Sequence, residues 1–256
     1  MKGSFFGNAQ ALLTVMVQAD TPQRVCELMD LSVPEGAEAF GMQFEQMKPA
    51  YRKPEVYREL FAHAGDRPVY VTNYRGKENA EKTDEQLAAE LVELAECGAD
   101  LCDVIGDTFD RQPDELAVSG EAIAKQRALI EAIHKAGAKV LMSSHVLVYT
   151  PAERVLEIAL EHQRRGADLC KIVTGARTME EQVENLRIIT MLKRELQIPF
   201  LFLCGGECSL LRRIGGELGC CTYLCVHEHD AFATPAQPLL RDVKALREIL
   251  QRGALA

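Results

Sequence analysis

Eight apolar runs of strand length recur along this chain, at 11–18, 39–47, 69–75, 101–107, 139–145, 169–175, 199–205 and 220–226. Between them lie amphipathic stretches such as 83–97, 120–136, 151–165 and 178–196, with apolar positions at three- and four-residue spacing. Near-continuous apolar strands separated by helices imply a parallel sheet covered on both faces. Eight such units are the number at which the sheet closes, so the expected fold class is α/β, a (β/α)8 TIM barrel forming one domain over residues 1–256. An open doubly wound sheet is the rival, but no Gly-x-Gly-x-x-Gly follows the first strand.

Local signals mark the junctions. Thr150-Pro151-Ala152-Glu153 reads as a hydroxyl N-cap ahead of a proline and an acid in the first helical turn. Gly98, Gly137 and Gly166 follow helical patterns and precede strands, as a left-handed helix end requires. The phrases Cys97-Gly98-Ala99-Asp100-Leu101-Cys102-Asp103 and Arg165-Gly166-Ala167-Asp168-Leu169-Cys170-Lys171 mark the same helix-to-strand junction twice.

Composition excludes several function classes. A net charge of -9, with 38 acids against 29 bases, argues against a nucleic-acid partner. No apolar segment is long enough for a signal peptide or a membrane span, so the expected location is the cytoplasm. Nine cysteines in such a chain are expected to be reduced and mostly buried. The group Cys204, Cys208, Cys220, Cys221 and Cys225, with His227 and His229, lacks the paired spacing of a structural metal site, so no metal is expected.

The fold gives one residue unusual weight. Lys171 interrupts the buried-strand pattern Leu169-Cys170-Lys171-Ile172-Val173, and the preceding strand ends in Ser143-Ser144-His145. Taken alone, such a lysine reads first as a snorkelling or ion-paired side chain. In a barrel, however, reactive groups gather at the carboxyl ends of the strands, where Arg75, Asp107, His145 and Lys171 would lie together. A desolvated amine can attack a carbonyl, and a nearby histidine can move the protons.

Four blocks carry a family resemblance. They are Val140-Leu141-Met142-Ser143-Ser144-His145-Val146-Leu147-Val148-Tyr149-Thr150-Pro151, then Gly166-Ala167-Asp168-Leu169-Cys170-Lys171-Ile172, Leu211-Arg212-Arg213-Ile214-Gly215-Gly216-Glu217, and Ala233-Thr234-Pro235-Ala236-Gln237. In order and approximate spacing they resemble the type I 3-dehydroquinate dehydratases, Schiff-base-forming (β/α)8 barrels. The resemblance implies that Lys171 forms the imine, that His145 is the general acid and base, that Arg213 and Arg75 bind the substrate, and that Gln237 belongs to a closing loop. It implies a small keto acid as substrate, no cofactor and, as often in the family, a homodimer.

Departures from the family pattern are concentrated where specificity is set. Gly41 and Gln43 stand where the second strand of the family presents an acid and an arginine, and Gln43 is kept as a substrate-facing candidate. Ile105 stands where the family has the glutamate that orients the histidine, leaving Asp103 and Asp107, two residues to either side on the same face, as its expected substitutes. Val146 replaces a common aspartate, and Ala233 replaces the serine of the closing loop. The leading expectation is a hydro-lyase converting 3-dehydroquinate to 3-dehydroshikimate or dehydrating a related hydroxy-keto acid. The alternatives are a Schiff-base aldolase or dehydratase acting on another keto acid, and a catalytically weakened homologue that binds a ligand.

Overall fold

A computed structural model of the chain describes residues 2–206 and 209–253. Strands and helices alternate in the order β1 (Leu12–Val17), α1 (Pro22–Glu35), β2 (Ala39–Gln43), α2 (Pro54–His63), β3 (Val69–Thr72), α3 (Asp84–Glu96), β4 (Leu101–Ile105) and α4 (Gly120–Lys135). They continue as β5 (Lys139–His145), α5 (Ala152–Arg165), β6 (Leu169–Ala176), α6 (Met179–Glu195), β7 (Phe200–Gly206), α7 (Leu211–Leu218), β8 (Thr222–Cys225) and α8 (Leu240–Gly253). All pairings are parallel, in the spatial order β7-β6-β5-β4-β3-β2-β1-β8. Across the remaining seam, just ahead of β8, Cys221 N donates to Phe200 O on β7 at 3.0 Å, so the barrel is nearly closed.

Side-chain alternation along the strands builds the layers. On β5, Val140 and Met142 join the cluster that contains Ile130 and Ile133 of α4, and Ser144 meets His162 of α5. On the opposite face Ser143 reaches Asp103 of β4. Met16, Tyr70, Leu101, Leu141, Leu169 and Leu201 belong to a second buried cluster, each contributing roughly 1.5–3 kcal/mol through removal from water. Gly41 makes room for this layer, because a Cβ there would lie 2.2 Å from Met16 Sδ and 3.0 Å from Tyr70 Cδ1 and would push the Met16 side chain aside.

The structure corrects several boundaries. The run 39–47 is not one strand: β2 stops at Gln43 and a 3-10 turn, Phe44–Gln46, follows. Glu45 fixes that turn by accepting hydrogen bonds from Thr72 Oγ1 at 2.8 Å and Tyr74 N at 3.3 Å. β3 ends at Thr72, after which the Asn73 amide turns to Leu87 O and Glu90 of α3. Cys220 and Cys221 precede β8 instead of lying in it.

The expected cap at Thr150 does not form. Its hydroxyl donates to Val148 O at 3.2 Å, and Pro151 occupies the cap position of α5 without a side-chain bond. Gly98, Gly137 and Gly166 do take left-handed backbone, with φ of 112°, 98° and 105°. Among the described residues no helix is long and apolar enough to cross a membrane.

Candidate active site

Lys171 is the third residue of β6 and is only 5% exposed. Its Nζ lies 2.8 Å from Tyr74 Oη, 3.1 Å from Tyr70 Oη and 3.2 Å from Asp103 Oδ2. The two phenol rings flank the amine, with centroids 5.4 Å away for Tyr74 and 5.7 Å for Tyr70. Tyr70 and Tyr74 both donate to the same Asp103 oxygen, and Ser143 Oγ donates to the other at 2.5 Å. Burial works against the Asp103 charge, but Lys171, His145 and the hydroxyl donors outweigh it and hold the carboxyl below its ordinary value. A buried ammonium therefore has a counter-charge and a hydrogen-bond cage.

His145 ends β5, two residue pairs further toward the barrel mouth than Ser143, which is opposite Lys171 in the sheet register. Glu115, from the loop between β4 and α4, accepts from His145 N at 2.7 Å and from Nδ1 at 2.9 Å. A carboxylate can only accept, so this contact places a ring proton on Nδ1 and leaves Nε2 as the nitrogen not committed to Glu115. Tyr74 packs edge-on against the imidazole, with centroids 5.3 Å apart and planes at 74°, and so touches both His145 and the lysine amine.

This assigns the histidine's partner to a residue other than the two expected. Asp107 instead accepts from Arg75 NH1 at 2.6 Å, and Asp103 serves the lysine and tyrosines. Glu115 is held in turn from behind: Ser144 Oγ donates to its carbonyl at 2.7 Å and contacts His162 Nε2 at 3.1 Å. Burial, reinforced by Arg165, pushes His162 down to about 3, so it stays neutral in this position. Arg165 further anchors the loop by donating to Gly106 O and Ala117 O.

The other anticipated residues are dispersed. Arg75 spends its fork on Asp84, at 2.7 and 2.6 Å, and on Asp107, and makes no contact with Lys171 or His145. Gln43 accepts from Gln18 at 2.9 Å and Gln46 at 2.8 Å. Gln18 also donates to Thr234 Oγ1 at 2.9 Å and accepts from Thr234 N at 2.7 Å, tying the loop after β8 to the second strand. Within that loop Gln237 is buried, and its Oε1 has no hydrogen-bond partner among the described residues. Arg213 is exposed at the start of α7, 3.2 Å from Ser209 Oγ.

The Lys171 amine thus lies caged in the same barrel mouth as a carboxylate-oriented histidine. The family model described as type I 3-dehydroquinase matches residues 15–254. The chain belongs to the type I 3-dehydroquinase family. Within it, a 3-dehydroquinate dehydratase of Listeria monocytogenes serotype 4a (strain HCC23) is 26% identical over 88% of this chain and 82% of its own length. One from Alkaliphilus oremlandii (strain OhILAs) is 29% identical over 50% of this chain, a match that spans about half, 51%, of that relative. The fold of a 3-dehydroquinate dehydratase from Geobacillus kaustophilus HTA426 superposes with a TM-score of 0.82 at 18% identity, covering 96% of this chain and 93% of that one. This hydro-lyase family therefore accounts for the barrel and its eight-strand order.

Four residues of the candidate site escaped the sequence reading. Tyr70 and Tyr74 share the inward parity of β3 with Thr72, and that parity is the signal that would have found them, since Arg75 falls on the opposite one. Glu45, pushed up by burial and by nearby Asp103, lies in the turn mistaken for strand. Glu115 sits in an irregular loop with left-handed backbone, φ 48°, where no periodicity marks it.

Among the described residues no three His, Cys, Asp or Glu side chains are grouped to hold a metal. Cys204, Cys220 and Cys225 are buried thiols, Cys220 pushed up to about 12 by burial, and Cys208 lies outside the described residues.

Proposed function

We propose that this chain dehydrates 3-dehydroquinate to 3-dehydroshikimate through an imine on Lys171. The observation that carries the reading is the lysine amine held by Asp103, Tyr70 and Tyr74 next to a histidine whose tautomer Glu115 fixes. Nucleophilic attack by the neutral amine on the ketone, followed by loss of water, gives an iminium that acidifies the adjacent carbon. His145 Nε2 then removes the C2 proton and returns a proton to the departing hydroxyl. Arg213 supplies positive charge for the carboxylate, and the unpartnered Gln237 Oε1 accepts from a ring hydroxyl. The reading treats residues 1–256 as one barrel domain that needs no cofactor and works in the cytoplasm, with a homodimer as its assembly.

Arg75 and Gln43 are committed to neighbours, and Met16 and Tyr70 fill the space at Gly41. That favours, as a second reading, the same imine chemistry on another hydroxy-keto acid needing fewer charged contacts. Following enone absorbance with 3-dehydroquinate, alongside a panel of smaller keto acids, separates the two. Turnover of 3-dehydroquinate supports the first reading. Turnover of a panel member alone supports the second, and ligand-induced thermal stabilisation without any turnover contradicts both.

A further inference from the structure

We propose that Tyr74 is a further catalytic residue, its hydroxyl passing protons between the Lys171 amine, Asp103 and the departing carbonyl oxygen as the imine forms and hydrolyses. The inference rests on the imine reading above. Imine formation must move two protons from nitrogen to oxygen, and the group that carries them has to touch the amine. Among the described residues His145 makes no hydrogen bond to Lys171: the bonds from its Nδ1 and backbone N–H run to Glu115. Tyr74 Oη is the nearest hydroxyl to Nζ, at 2.8 Å, and it simultaneously donates to Asp103. Tyr70 makes similar bonds at the longer distance of 3.1 Å, but it is only 2% exposed, beneath the site against the space at Gly41. Tyr74 is half-buried and borders His145.

The proton count closes without any outside reactant. Lys171 ammonium first gives one proton to the Asp103 carboxylate and becomes a neutral amine. The amine's electron pair forms the N–C bond, the carbonyl π pair moves to oxygen, and Tyr74 protonates that oxygen while recovering a proton from the new N–H2 cation. Tyr74 then protonates the resulting hydroxyl, the C–O bond breaks, and water leaves as the nitrogen lone pair forms the iminium. Asp103 returns its proton to the phenolate. At the end Tyr74 is neutral, Asp103 is ionised, and the positive charge that began on the ammonium resides on the iminium. Burial first, and then the Asp103 charge, push the Tyr74 phenol well above its ordinary value, so it rests in the neutral form that this shuttle needs.

The test is rapid-quench borohydride trapping of the full chain with 3-dehydroquinate, comparing wild type with Tyr74→Phe and Asp103→Asn. Tyr74→Phe keeps the ring against His145 and is expected to slow adduct accumulation about 100-fold, with the final labelled fraction unchanged. C2 proton exchange per mole of accumulated imine stays at the wild-type value. Asp103→Asn slows the same phase, and the double variant is no slower than the worse single one, as expected of two members of one relay. Adduct formation by Tyr74→Phe at the wild-type rate, or additive losses in the double variant, overturns the proposal. A wild type that accumulates no adduct overturns the imine reading itself, and this proposal with it.

Discussion

At the scale of single residues, the site separates the group that bonds to the substrate from the groups that keep protons in order. Lys171→Met is expected to abolish both turnover and borohydride labelling; methionine fills the same buried volume, while the loss of Asp103's counter-charge is expected to lower stability. Glu115→Gln tests the histidine's orientation. The amide can donate to the imidazole instead of accepting from it, so kcat is expected to fall about 100-fold with KM little changed, while adduct formation at Lys171 survives. Steady-state kinetics and intact-mass measurement on the same sample separate these outcomes; equal loss of labelling in Glu115→Gln would show that Glu115 acts on the lysine instead. Lys171 and His145 were legible in the sequence because each ends or interrupts an apolar strand. Glu115 was not, since a residue 30 positions from its partner in an irregular loop leaves no pattern to read.

At the scale of elements, each strand presents alternate side chains to the barrel interior and to the helices, and one residue of parity decides which chemistry reaches the site. β3 shows this most directly: Tyr70 and Tyr74 reach Lys171, whereas the more conspicuous Arg75 is bound to Asp84 and Asp107 outside it. The strand itself was readable from its apolar run, but its end was not, because Asn73 leaves the ladder for side-chain bonds to α3. Packing in the layer formed by Met16, Gly41 and Tyr70 gives an element-level test. Gly41→Ala forces Met16 aside and is expected to destabilise the fold by roughly 1–3 kcal/mol in urea denaturation. An unchanged midpoint would mean that Met16 relocates without cost. The helix ends are independent of this layer: Thr83 accepts from Gln86 N and Gln86 reaches back to Thr83 N, so Thr83→Ala is expected to cost about 1 kcal/mol.

For the whole molecule, stability and catalysis meet behind β5, where His162 supports the Glu115 loop through Ser144. Burial lowers His162 from its ordinary 6.5 to about 3 in the fold. The unfolded chain therefore takes up a proton that the native state refuses. This contribution is fully present above pH 6.5 and is lost as pH falls toward 3, by up to about 1.4 kcal/mol for each pH unit. Asp84 and Asp103, held below their ordinary value in the fold despite burial, add to the loss at the lower end of that range. Urea midpoints measured across pH are expected to slope less steeply between pH 4 and 6.5 in a His162→Gln variant, and an identical slope would contradict the assignment. The eight-unit barrel was legible at this scale because its strand and helix periods repeat without interruption. The buried network that stiffens its mouth was not, since Ser144, His162 and Arg165 read individually as ordinary residues of a strand and a helix.

The central claim is that Lys171 is the nucleophile for a keto acid carbonyl. Its most direct test is borohydride reduction of the full chain in the presence of 3-dehydroquinate, followed by intact-mass and peptide mapping. The expected result is one adduct per chain, on the peptide carrying Lys171 and absent from Lys171→Met. An unlabelled chain, under conditions in which an authentic type I 3-dehydroquinate dehydratase is labelled to completion, contradicts the account for that substrate, and labelling at a different lysine contradicts it for the site.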